Sequence, residues 1–172
     1  ETSNGRGGGF IYNCNGSTLT VYGGNFIENS TTQRGGCIYH AGGLGVETYV
    51  YGGIFRGNTA KWPGFEGSGA IWNSSVEDKE TTLVLAGNAQ YCGDGIEGSG
   101  TDGIYLDQQN KTPRKIWLSD TLSYPIYVYV KPKEGYVIAE GKDYTLLHER
   151  DMKKINFVDT SNGEKKWYAV LN

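Results

Sequence analysis

The 172-residue chain is short of what several protein classes require. It has four prolines, and glycine does not recur at every third position, which excludes collagen. Its longest apolar stretch, Tyr124–Val130, falls far short of the ~20 residues a membrane-spanning helix needs. Alanine is scarce, at seven residues, and methionine occurs once, so helix formers are few. A basic surplus is missing as well. Sixteen Lys and Arg face nineteen Asp and Glu, for a net charge of −3, which argues against a nucleic-acid partner. The three cysteines, Cys14, Cys37 and Cys92, share no CxxC spacing, which argues against a zinc site. They read as free thiols buried as small apolar side chains, with one disulfide plus a spare thiol as the other option. No signal peptide, anchor or initiator methionine opens the sequence, so it reads as a piece of a longer protein. What is abundant is glycine, 27 residues, beside 37% hydrophobic and 13% aromatic residues. That mixture is too apolar for a disordered linker. With Ile, Val, Thr, Tyr and Asn all common, it favours strands.

The chain repeats. Gly8-Gly-Phe-Ile-Tyr-Asn13, Gly35-Gly-Cys-Ile-Tyr-His40 and Ser68-Gly-Ala-Ile-Trp-Asn73 superimpose, and Thr101-Asp-Gly-Ile-Tyr-Leu106 is a degenerate fourth copy. The isoleucines at 11, 38, 71 and 104 are spaced by 27, 33 and 33 residues. A second motif follows: Thr20-Val-Tyr-Gly-Gly-Asn-Phe-Ile-Glu-Asn29, then Tyr49-Val-Tyr-Gly-Gly-Ile-Phe-Arg-Gly-Asn58, fading to Leu83-Val-Leu-Ala-Gly-Asn-Ala89. Each copy holds three short apolar runs broken by Gly and Asn, which is the layout of a parallel β-helix coil. A propeller blade needs four strands in ~40–45 residues, and these copies are too short.

In such a coil, equivalent residues stack at the ~4.8 Å strand spacing. The pattern therefore predicts an internal ladder of Ile11, Ile38, Ile71 and Ile104, and a second of Val21, Val50 and Val84. Phe26 and Phe55 should fill a third corner, and Asn29 over Asn58 should form an amide ladder that satisfies backbone groups at a turn. Near residue 103 the composition changes: residues 1–103 hold 24 of the 27 glycines. Beyond it come amphipathic strands, Ile116–Leu118, Ile126–Val130, Tyr136–Ile138, Ile155–Val158 and Trp167–Leu171, with a short helical turn within 143–154. The expected organisation is one domain, with coils over 1–114 and a final coil or coils plus a β cap over 115–172 that closes the open end.

The Gly-Gly-x-Ile-Tyr and Val-Tyr-Gly-Gly-x-Phe-x-x-Asn motifs resemble the repeats of large bacterial cell-surface proteins, often called adhesin-like, which share the pectin-lyase-like fold. The tail, with Phe157-Val-Asp159 and Tyr168-Ala-Val-Leu171, is similar to the ends of such regions. The resemblance implies an all-β, right-handed parallel β-helix, extracellular or on the bacterial surface. Fold is specified by such motifs far better than ligand.

Candidate sites follow from the coil. Acids such as Asp94, Glu97, Asp102 and Asp107 lie in turns and form no paired column of the kind a glycosidase needs. Arg114 and Lys115, the nearest bases a lyase could use, sit in a separate turn. His40 and His148 lack metal or triad spacing, and Cys37 shares a packing column with Phe10, Ala70 and Gly103. The Gly93–Gly103 stretch is oxygen-rich yet matches neither an EF-hand loop nor a calcium-binding nonapeptide. No catalytic residue, cofactor or metal is expected. The residue after each isoleucine should point outward, giving an aromatic stripe of Tyr12, Tyr39, Trp72 and Tyr105. Lys61-Trp-Pro-Gly-Phe-Glu66 adds Trp62 and Phe65 on an inserted loop, beside the Ala41–Glu47 and Ser74–Glu80 loops. These six aromatics are the expected ligand-binding residues. The reading is a non-catalytic module, monomeric within a longer chain, that binds a host protein such as an immunoglobulin or a mucosal glycoprotein, or a glycan. It makes no membrane contact. A carbohydrate-active β-helix and a passive stalk are the alternatives.

Overall fold

The computed structural model describes residues 7–43, 45–62, 68–74, 81–92, 102–107, 114–130, 137–142 and 149–159. The first coil places β1 (Ile11–Asn13), β2 (Thr18–Val21), β3 (Asn25–Ile27) and β4 (Ser30–Thr31) in succession. The second repeats them as β5 (Ile38–His40), β6 (Glu47–Val50), β7 (Ile54–Arg56) and β8 (Thr59–Ala60). The third carries β9 (Ile71–Asn73), β10 (Thr82–Gly87) and β11 (Gln90–Tyr91). Then come β12 (Ile104–Leu106) with β13 (Ile116–Leu122), and β14 (Ile126–Val130) with β15 (Ala139–Gly141). The helical turn α1 (Glu149–Met152) and β16 (Ile155–Asp159) follow.

Equivalent strands stack in parallel. The first sheet runs β1-β5-β9-β12-β14-β16, the second β2-β6-β10-β13-β15, the third β3-β7-β11, and β4 pairs with β8. This is an all-β stack of parallel coils, a β-helix. The first two coils carry a short fourth strand where three per coil were expected. Both long sheets run without a break past residue 114, since β12 pairs with β14 and β10 with β13. Residues 160–172, which include the expected strand Trp167–Leu171, lie outside the described residues, as does Tyr136; Val137 and Ile138 precede the strand, which runs over Ala139–Gly141 and not over the expected Tyr136–Ile138.

The isoleucine ladder forms in register: Ile11 pairs with Ile38, Ile38 with Ile71 and Ile71 with Ile104, continuing to Val128 and Phe157. The next wall differs by one residue from expectation. Val21 lies beside Val50, but Val50 pairs with Leu85, and Val84 pairs with Tyr49 on the outward side. Leu83-Val-Leu85 is apolar throughout, so its sequence gives no inward-outward alternation to fix the register. Phe26, Phe55 and Tyr91 fill the third corner, with centroids 4.7 and 5.0 Å apart and nearly parallel rings. Each fully buried aliphatic side chain in these ladders contributes about 1.5–3 kcal/mol.

Polar residues at the corners are used structurally. Asn29 donates its backbone N–H (3.1 Å) and its Nδ2 (2.7 Å) to Asn58 Oδ1. Asn58 Nδ2 donates in turn to the Phe26 carbonyl and to Asp102 Oδ1 (2.8 and 2.6 Å). At the end of the first sheet, Asn13 Nδ2 donates to Thr48 Oγ1 (2.9 Å), and His40 Nδ1 shares that hydroxyl at 2.7 Å.

Candidate functional site

Side chains alternate across each strand, so every inward residue fixes an outward neighbour. On the first sheet, the outward neighbours of the isoleucines are the expected stripe, in register: Tyr12 beside Tyr39, Tyr39 beside Trp72, Trp72 beside Tyr105, and Tyr105 beside Tyr129. The stripe is not an open surface. Tyr39, Trp72, Tyr105 and Tyr129 are buried and pack with Ala41 as a second apolar core. Only Tyr12, at 37% exposure, reaches solvent. Trp72 and Tyr105 stack at 4.4 Å with their planes 2° apart. The Arg34 guanidinium lies 5.0 Å from the Trp72 ring and 5.1 Å from that of Trp62. The half-buried Trp62 thus clamps an arginine against the column. Burial removes Tyr39, Trp72 and Tyr105 from the ligand-binding set, because a ring packed on both sides offers a partner nothing. Phe65 lies outside the described residues.

The second sheet carries the outward rings that remain accessible. Leu19, Val21, Thr48, Val50, Leu83, Leu85, Ile116 and Leu118 face inward. Tyr22, Tyr49, Tyr51, Val84 and Trp117 therefore face out. Tyr22 is 80% exposed, and Tyr49, Tyr51 and Trp117 are half-exposed. Tyr22 stacks on Tyr51 at 5.7 Å, and Tyr49 lies 6.2 Å from Tyr51, with interplanar angles of 23° and 24°. Lys115 holds its ammonium 3.9 Å from the Trp117 ring and pairs with Glu140 at 2.5 Å. Lys142 stands 6.0 Å from the Tyr49 ring. Partial burial and then the Glu47 carboxylate raise the Tyr49 phenol above its ordinary pKa, so it stays a neutral donor. Val84 is buried although it faces outward, since it sits between Tyr49 and Trp117 in the ladder. The signal for this face was the alternation in Thr-Val-Tyr: once Val21 and Val50 turn inward, their tyrosine neighbours must turn out.

The other candidates are accounted for by packing. Asp102 is buried and accepts from the Gly57 and Asn58 amides and from Asn58 Nδ2, at 2.5, 3.0 and 2.6 Å. Asp107 and Arg114 are buried, with Arg114 Nε donating to the Ser74 carbonyl at 2.6 Å. Burial, and then the Arg114 charge, pull His40 down to about 3, so its ring is neutral at physiological pH. Burial, and then Asp102, push the Cys37 thiol up to about 12. Cys14 and Cys92 are free and half-buried. Asp94, Glu97, His148 and the 93–101 stretch lie outside the described residues. Among the described residues, no group of His, Cys, Asp or Glu is placed to hold a metal, and no helix is long and apolar enough to cross a membrane. No family model matches the chain, and comparison with curated proteins and with solved structures gave no match either.

Proposed function

We propose that this chain is a non-catalytic binding module of a bacterial surface protein, acting outside the cell. It holds a host protein, such as an immunoglobulin or a mucosal glycoprotein, against the outer face of its second sheet. The observation that carries this reading is the exposed tyrosine cluster, Tyr22, Tyr49 and Tyr51, on a rigid stack of parallel strands. Tyrosine supplies large contact area at low entropic cost and is enriched among the residues that dominate protein interfaces.

Ring orientation favours a protein over a sugar. Sugars stack on open ring faces, whereas here Tyr51 has its face towards Tyr22, and the Trp117 face carries the Lys115 ammonium. Apart from the outer face of Tyr22, the surface offers ring edges and phenol hydroxyls, which suit backbone carbonyls and apolar side chains of a protein partner. Against catalysis stand the occupied oxygens of Asp102 and the raised pKa of Cys37, which keeps the thiol protonated at neutral pH.

Binding of the purified module to immobilised immunoglobulin and mucosal glycoprotein, intact and deglycosylated, tests this. The Tyr22→Ala/Tyr51→Ala variant is expected to bind at least about tenfold more weakly while keeping its melting temperature. Binding that survives the double substitution removes the tyrosine face as the site. Binding lost on deglycosylating the partner makes the ligand a glycan. Release of reducing or unsaturated sugar from a polysaccharide would make the module an enzyme.

A further inference from the structure

The repeat places a glycine pair after each Val-Tyr, and its two copies have different surroundings. A Cβ on Gly52 would lie 2.5 Å from the Tyr22 carbonyl of the coil above, so glycine is forced there by the neighbouring backbone. Gly23 is the equivalent residue one coil earlier. A Cβ on Gly23 would meet nothing within 4 Å, and its φ lies outside the left-handed region. Neither space nor backbone conformation within this structure requires glycine at 23. A carbonyl arriving from above, as Tyr22 arrives over Gly52, would require it.

The same coil is where apolar surface is left uncovered. Of the six large apolar side chains exposed among the described residues, Phe10 (62%), Tyr12, Tyr22 and Ile27 (43%) all belong to it. β1, β2 and β3 stand at the edges of their sheets. The ladder of Tyr22 over Tyr51 ends there open, and the ladder of Phe26 over Phe55 ends under Phe10, whose ring packs edge-on against Phe26 at 5.8 Å. Open strand edges flanked by apolar side chains are templates for further pairing.

We propose that this rung is a docking edge for one further parallel coil of the same repeat, laid in register over β1 to β3. That coil would set its Val-Tyr carbonyl over Gly23, its tyrosine ring over Tyr22, and cover the exposed Phe10. The occupant follows from continuity: the contact required is the one the first coil already makes with the second. Tyr22 would keep part of its surface outward, as Tyr51 does beneath it. The proposal lowers the exposure of Tyr22 towards that of Tyr51 and leaves Tyr49 and Tyr51 as they are, so it does not depend on what the tyrosine face binds.

A second copy of residues 8–34 inserted directly ahead of Gly8 supplies such a coil, at the 27-residue spacing that separates Ile11 from Ile38. The melting temperature is expected to rise by about 5 °C or more over a protein carrying the same residues in scrambled order. The covered Tyr22 should also lose reactivity towards iodination. In the original protein, Gly23→Ala should move the melting temperature by less than about 1 °C, whereas in the covered coil it should cancel the gain. Equal melting temperatures for ordered and scrambled inserts overturn the proposal, and so does a gain that survives the covered Gly23→Ala. Concentration-dependent dimerisation of the original protein that Gly23→Ala abolishes overturns it too, and assigns the edge to a second copy.

Discussion

On the first sheet the outward rings run Tyr12, Tyr39, Trp72, Tyr105 and Tyr129, and all but the first are sealed from solvent. On the second they run Tyr22, Tyr49, Tyr51 and Trp117, and all retain exposure. Both sets arise from the same alternation on parallel strands; the first stacks Trp72 on Tyr105 and Tyr12 on Tyr39, and on the second Tyr22 stacks on Tyr51 while Val84 separates Tyr49 from Trp117. The difference lies in what covers them. Arg34, itself beside Trp62, lies over the Trp72 ring of the first column, whereas among the described residues the second has lysine ammoniums at its margin. An outward aromatic column is thus core or surface according to residues that belong to neither strand nor ladder. The buried column stabilises the stack, and the exposed one is available to a partner.

Removing a ring from each side should separate those roles most sharply. Trp72→Ala opens a void in the sealed column and is expected to cost about 3–5 kcal/mol, read from denaturant unfolding. A loss under about 1 kcal/mol would mean that the column is loosely covered. A second effect comes from acid. His40 terminates the strand that carries Tyr39, and its folded pKa lies below the ordinary value near 6.5. The unfolded chain therefore binds a proton between those two values while the folded one does not. Stability is full above about pH 6.5 and falls as pH drops towards 3, by up to about 1.4 kcal/mol per unit. His40→Asn, the residue found at 13 and 73, should flatten this dependence between pH 4.5 and 6.5 relative to the parent, to within about 0.3 kcal/mol per unit. An unchanged slope would show that His40 is not the titrating group.

The cover itself is next in size. Arg34→Ala removes the cation held between Trp62 and Trp72 and is expected to cost about 1–2 kcal/mol, with Trp fluorescence shifted to the red. A blue shift or no loss would place the seal elsewhere. Smallest of all, Tyr22→Ala should change stability by no more than about 0.5 kcal/mol. A larger cost would mean that the exposed cluster is structural, and would bring the two faces closer together in character.

Period and spacing made much of the interior legible. Ile11, Ile38, Ile71 and Ile104, the Phe26–Phe55 pair and the Asn29–Asn58 ladder all occupy the columns that their repeat positions imply. Register failed where the pattern itself is uniform, at Leu83-Val-Leu85, because three apolar residues in a row do not say which pair turns inward. Burial of Trp72 was illegible for another reason. Alternation gives a side chain's direction relative to its own sheet, and the covering Arg34 and Trp62 lie in different coils from the ring they seal. The tyrosine face is legible from the same alternation, since Val21 inward obliges Tyr22 outward.

The in-register pairing also governs how the molecule yields. Its strands run across the long axis, so their hydrogen bonds lie along it, and each coil touches chiefly the ones above and below. A pull from end to end meets these bonds a rung at a time, like a zipper, and never loads them all in shear. Extension would proceed in steps of one coil, each releasing roughly thirty residues of slack at ~3.4 Å apiece.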